Sequence, residues 1–261
     1  TASAYFFIHR GKLKVELSEM FVWWLVVSIV VVSWLSIEIR ANGYTFIDEF
    51  IKYQIRLFST KDAGHGGPFY YHFVALLVGL FPASALIFTA FKRNEYDDAT
   101  QNLFKRWMIY LMCVVLLVFS VVQTKILHYS SLCNFSITFL AAYYLNHLFD
   151  GKTTWTWKQT VPLVTIGVLI VVAITGGIFV MQKPDVFINF IKDDFARDCL
   201  KATVYWTHND TTYGFIYLAC IIVAIFLLQT KHVKWGAYLL LISSALFISA
   251  AMTLVIPRVE K

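Results

Sequence analysis

The chain has 261 residues, 59% of them apolar and only 15% charged, with a formal net charge of +6. A soluble domain carries roughly 25% charged residues, so this composition excludes a soluble globular reading of the chain as a whole. The basic balance calls for no nucleic-acid partner, because Lys and Arg at the edges of membrane spans follow from topology and from anionic membrane lipids.

The basic stretch His9 to Lys14 leads into a full-length apolar run rather than the short core of a secretory signal. Seven runs follow at 20–39, 69–91, 107–124, 131–149, 161–181, 213–230 and 235–255. At 1.5 Å per helical residue, runs of about 18 to 25 residues match the ~30 Å hydrocarbon thickness. They are too long and insufficiently alternating for barrel strands, which leaves helices as the way to satisfy the backbone in lipid. The expected fold is all-α: a polytopic transmembrane bundle of about seven spans occupying 1–261 as one transmembrane domain.

Between the first two runs, the loop 40–68 holds an amphipathic segment. Phe46, Ile47, Phe50, Ile51, Ile55, Leu57 and Phe58 fall largely on one helical face, and Asp48, Glu49, Lys52 and Arg56 on the other. That periodicity suits a helix lying in the membrane interface. The stretch Arg56 to His72 comes next. Gly64, Gly66 and Gly67 let the chain turn and approach a ligand, and Pro68 suits the first turn of the following span. On its own this stretch reads equally well as a turn with a snorkelling Arg and interfacial tyrosines.

A second polar element, Gln123 to Ser130, joins 107–124 to 131–149 as a tight hairpin. Lys125 and Tyr129 are four apart and share a face if the tip is helical. With His128 they offer an ammonium and hydrogen-bond donors suited to a phosphate. The alternative is interfacial anchoring. Further on, the loop 182–212 repeats the amphipathic pattern with Val186, Phe187, Phe190, Ile191 and Phe195.

The loops set the orientation. Of the 22 Lys and Arg residues, half fall in the 49 residues of 1–19, 92–106, 150–160 and 231–234, and half in the 72 residues of the opposite side. The denser side is expected to be cytoplasmic. The N-terminus is then inside, and both polar clusters and both interfacial helices are outside. The cysteines form no C-x-x-C pair, which points to small apolar residues rather than a thiolate site. His65 and His72 are weak metal candidates without a ligand motif. No carboxylate sits mid-span, which argues against a proton relay.

The motifs Arg56-x-Phe58, His65-x-x-Pro68-Phe69-Tyr70-Tyr71 and Gly79-Leu80-Phe81-Pro82, followed by Thr124-Lys125-x-x-x-Tyr129, resemble those of polytopic GT-C glycosyltransferases related to aminoarabinose (lipid A) transferase and protein O-mannosyltransferase. The resemblance covers roughly residues 40–150. It implies a larger GT-C fold and transfer of a sugar from a polyprenyl-phosphate carrier to a lipid, glycan or protein acceptor in the cell envelope. It implies the bacterial inner membrane as the location, with a periplasmic active face. By the same resemblance, Arg56, Lys125 and Tyr129 bind the lipid phosphate and His65 lies near the site; His128 is expected to join them by its chemistry and position. Some relatives hold a divalent metal near the position of His65; otherwise no cofactor is implied. The sequence departs from the family at Ala83, where a Trp is usual, and at His128, where a Pro sometimes stands. The family's catalytic carboxylate lies in a first outer loop with no equivalent here. The general base is therefore expected in a missing N-terminal part, and this fragment is expected to be inactive alone. A lipid flippase and a non-catalytic membrane subunit are the competing readings.

Overall fold

The computed structural model describes residues 17–61, 65–91, 95–188, 204 and 206–259. They fold as helices and turns, with one isolated β-bridge, Gly66 to Thr124, among the described residues. The helices are α1 (Leu17–Asn42), α2 (Thr45–Ser59), α3 (Tyr71–Gly79), α4 (Ala83–Leu86), α5 (Ala99–Val121), α6 (Leu132–Phe149), α7 (Trp157–Gln182), α8 (Pro184–Phe187), α9 (Thr212–Gln229), α10 (Val233–Ala250) and α11 (Ile256–Val259). A π-turn, Ala251–Val255, extends α10.

Every expected span contains helix, but the spans are not equivalent. Five helical stretches are long and apolar enough to cross a membrane: Ser18–Asn42, Ala99–Val121, Trp157–Gln182, Thr212–Gln229 and Val233–Val255. The expected continuous span 69–91 is instead a broken pair, Tyr71–Gly79 and Ala83–Thr89, bent by 106°. Pro82 explains the break, since it has no N–H to donate and disfavours helical geometry at Phe81. Counting this pair as one span makes six. α6 covers the fourth expected run, 131–149, and is not among these stretches; Asn134, Tyr143, Tyr144, Asn146 and His147 lower its hydropathy.

Helix starts also differ from the apolar runs. α5 begins eight residues before the expected 107, because Asp98 accepts from the Gln101 amide (2.7 Å) while the Gln101 side chain accepts from the Asp98 amide (3.2 Å). This reciprocal cap starts the helix in a polar turn that hydropathy does not register. α7 likewise starts at Trp157, where the Gln159 side chain accepts from the Thr156 amide (3.0 Å) and hydroxyl (2.6 Å). The amphipathic segment expected in the loop 40–68 forms as α2. Of the second expected interfacial segment, α8 covers Val186 and Phe187, and Phe190, Ile191 and Phe195 lie outside the described residues.

The chain divides into two compact units. The first is drawn from residues up to Leu76 and from Asp97–Ile137. In it, Lys105 donates to Asp97 across 3.0 Å, with both side chains all but inaccessible. Trp34 of α1 meets Phe46 of α2 edge-on, yet none of the apolar stretch of α1 is buried.

The second unit is drawn from Leu77–Tyr96 and from Thr138 onward. Its core joins Phe81 and Leu86 to Leu163, Ile170, Ile221, Leu240 and Phe247. α9 and α10 form a close antiparallel hairpin. A Cβ on Gly236 would come within 2.8 Å of the Ala224 carbonyl and 2.9 Å of the Leu228 amide nitrogen. Close backbone approach through small residues is how helices gain contact in lipid, where no hydrophobic drive pushes them together. Tyr217 stacks on Phe247 (4.3 Å between centroids), and its hydroxyl shares a 2.8 Å hydrogen bond with Ser244.

Candidate functional site

In the first unit, the two polar clusters form one junction. The strand-like residues 123–125 pair with the end of α2 and the loop that follows. The Gln123 amide donates to the Phe58 carbonyl (3.0 Å), the Thr124 amide to Leu57 (3.2 Å) and the Lys125 amide to His65 (2.6 Å). The Thr124 hydroxyl adds a 2.7 Å bond to the Thr60 carbonyl. Each such bond contributes a net ~0.5–1.5 kcal/mol. Together they fix the register between segments some sixty residues apart in the chain.

Gly67 closes the contact. A Cβ there would lie 3.1 Å from Lys125 Cγ and 3.2 Å from Tyr71 Cδ2. The glycine therefore admits the Lys125 stem and the Tyr71 ring.

Lys125 itself is buried, 4% exposed. Its ammonium donates to the carbonyls of Phe119 (3.1 Å), Ser120 (2.7 Å) and Val122 (2.6 Å). These are the oxygens left open where α5 ends. The charge also sits at the negative end of the helix dipole. Burial pushes the ammonium pKa below the ordinary lysine value. Because all three protons point to carbonyls, Lys125 reaches a phosphate only by exchanging one of them.

The other candidates are more open. Arg56 is exposed on α2, with its guanidinium over the Tyr53 ring at 5.2 Å. Its carbonyl accepts from the Thr60 amide and hydroxyl, which ends the helix. His65 is exposed beside the bridge. His128 is exposed and meets Tyr129 edge-on at 5.1 Å; Tyr129 is half-buried against Phe119 at 5.2 Å. The junction thus gathers His65, Lys125, His128 and Tyr129, while Arg56 stands just before it on α2.

His72 is wholly buried, with Nδ1 3.1 Å from the Ser130 hydroxyl. That hydroxyl donates to the Leu127 carbonyl at 3.2 Å, which assigns the proton of this pair to His72 Nδ1. Nε2 is then a lone-pair acceptor, and it has no hydrogen-bond partner among the described residues. Buried groups of this kind are uncommon and mark places where a water or ligand donor fits. His72 drew attention in the sequence only as a weak metal ligand. Its pairing with Ser130, 58 residues away, has no sequence signature beyond a lone histidine in an apolar run. Among the described residues, no group of three metal-ligating side chains forms.

No family model, curated protein or solved structure matches the chain.

Proposed function

We propose that this chain supplies the donor-phosphate half of a membrane glycosyltransferase. The enzyme moves a sugar from a polyprenyl-phosphate carrier to a lipid, glycan or protein acceptor at the outer face of the membrane. The observation that carries this reading is the backbone junction of 57–66 with 123–125, because it joins the two motifs on which the family resemblance rests.

Departure of the lipid phosphate builds negative charge on its oxygens. Exposed Arg56 offers a planar pair of donors matched to a phosphate, and His65, His128 and the Tyr129 hydroxyl add further donors from the junction. Lys125 has a different part from the one its motif suggests. It holds the end of α5 against the loop and lends its charge from beneath. Groups fixed before the reaction stabilise developing charge without reorganising. The general base that activates the acceptor hydroxyl belongs, on this reading, to residues upstream of α1.

The bonds of Lys125 to three carbonyls favour a second reading, in which the junction is a structural anchor in a non-catalytic subunit. Arg56→Ala separates the two, since the Arg56 side chain takes no part in the junction's backbone bonds. In the full-length protein, Arg56→Ala is expected to lower sugar transfer from a polyprenyl-phosphate donor at least ten-fold, equivalent to about 1.4 kcal/mol, with thermal unfolding measured alongside. Transfer at the wild-type rate in both Arg56→Ala and Tyr129→Phe would favour the anchor.

A further inference from the structure

The second unit has a cavity of mixed polar and apolar lining that the proposed transferase site does not use. It measures about 670 Å³ and lies where α6 ends and α7 begins. Lys152, Thr153, Thr154, Trp157 and Lys158 line it, and Tyr144 forms part of its wall.

Three observations point to an anionic ligand. The first is charge. Two lysines, Lys152 and Lys158, reach the cavity, whereas Lys231 and Lys234 line a separate, smaller pocket bounded by Phe149 and Gly151. Asp150 is the opposing carboxylate. It pairs with Lys152 at 2.9 Å, but both side chains are roughly two-fifths exposed. Exposed pairs of this kind add little to stability, so the pair exchanges readily for a phosphate contact. Lys152, His147 and Lys234 together hold the Asp150 carboxyl below its ordinary range, Lys152 most strongly.

The second observation is the start of α7. The first turn of this 26-residue helix, Trp157 to Gln159, opens on the cavity. The Thr156 cap takes the Gln159 amide, which leaves the Trp157 and Lys158 amides and the positive end of the helix dipole to attract an anion. The third is Tyr144. The residue is 3% exposed, and its buried hydroxyl has no hydrogen-bond partner among the described residues. A buried hydroxyl without a partner marks a place where a water or a ligand oxygen fits.

Apolar features set the class of anion. The Trp157 ring is 70% exposed, and the Lys158 ammonium lies 6.0 Å from its centre. Trp with Lys at the end of a span is the pattern of a side-chain pair seated at lipid headgroups. We infer that this cavity binds the phosphate headgroup of an anionic phospholipid, with Lys152, Lys158 and the α7 N-terminus on the phosphate and Trp157 against the glycerol and upper chains.

The test uses the full chain purified in a neutral detergent, with lipid retention read by native mass spectrometry. Phosphatidylglycerol should be retained at least ten-fold better than phosphatidylcholine. Lys152→Gln with Lys158→Gln should lower that retention at least five-fold, and Tyr144→Phe about three-fold, with the helical circular dichroism signal unchanged. The control pair Lys231→Gln with Lys234→Gln removes the same charge nearby and should change retention less than two-fold. An equal loss in the control pair, or no loss in the cavity variants, would overturn the proposal. So would stabilisation by inorganic phosphate as strong as that by phosphatidylglycerol, which would point to a soluble phosphoryl compound.

Discussion

The Lys125 amide donates to the His65 carbonyl across 2.6 Å, while the ammonium of the same residue closes the end of α5 on three other carbonyls. One residue thus binds the loop at His65 through its backbone and the end of the preceding helix through its side chain. The two polar motifs are neighbours because of this double attachment.

Gly67 tests how tightly that attachment is packed. Val at this position pushes a branched side chain toward Lys125 Cγ and the Tyr71 ring, each only 3.1–3.2 Å from a bare Cβ. Overpacking of a filled site costs typically ~1–3 kcal/mol. Gly67→Val should lower the midpoint of thermal unfolding and increase amide exchange at 123–125. Gly67→Ala should do the same more weakly. Protected amides at 123–125 in the Val variant would contradict the packing described.

Lys125→Met keeps most of the stem and removes the ammonium. The three carbonyls then lose their shared donor in a buried setting, at a cost of about 1–3 kcal/mol. Lys125→Arg places more donors on a longer stem and should restore part of the loss. Thermal unfolding of the three proteins gives the ranking wild type, Arg, Met. A Met variant as stable as wild type would show that water replaces the ammonium without cost.

The Lys105–Asp97 pair is the buried ionic contact at the start of α5. Removing Lys105 takes a 3.0 Å ionic contact from the buried Asp97 carboxylate, whereas removing both groups is milder. Lys105→Met is therefore expected to unfold well before the Lys105→Met, Asp97→Leu double variant. Equal stability of the single and double variants would mean that water reaches Asp97.

Much of the helical architecture was legible because lipid imposes one rule: long uncharged runs become helices. The rule reads apolar length and misses what begins and breaks a helix. Asp98 and Gln101 start α5 in a charged stretch that looks like a loop by hydropathy. Pro82 divides a run whose apolar character never lapses. At the candidate site, spacing identified Lys125, Tyr129 and His65 as polar residues at a boundary. It did not reveal that the ammonium would face backbone carbonyls, because that depends on where α5 stops. The His72–Ser130 pair depends on long-range packing, for which periodicity within one segment holds no information.

Gly236 is the point of closest approach between α9 and α10. An added methyl meets the Ala224 carbonyl and the Leu228 amide nitrogen of α9 as well as Leu228 Cγ, so side-chain movement alone cannot relieve it. The helices must separate, and packing around Leu228 and Leu240 loosens with them. Gly236→Ala should destabilise by about 1–3 kcal/mol, although Ala favours a helix over Gly by up to ~1 kcal/mol. A more stable Ala variant would mean that propensity outweighs the clash.

Asp210 gives the second unit an acid-sensitive contact. Its carboxylate accepts from the Thr207 amide (2.6 Å) and from Arg258 (2.8 Å), whose guanidinium also lies 5.6 Å from the centre of the Trp206 ring. Burial, the largest influence, pushes the Asp210 pKa up, but the Thr207 bonds and the Arg258 charge outweigh it and hold the value below the ordinary 3.8. A carboxyl with a depressed folded-state pKa contributes its full stability above the ordinary value. It loses that contribution as pH falls through the lower, folded one. Wild type should therefore hold a constant margin over Asp210→Asn from neutral pH down to about the ordinary aspartate value, and the margin should shrink below it. Melting both proteins across pH 7 to 2.5 checks the sign. A margin that instead grows on acidification would mean that Asp210 is protonated in the folded protein and that Arg258 has another partner.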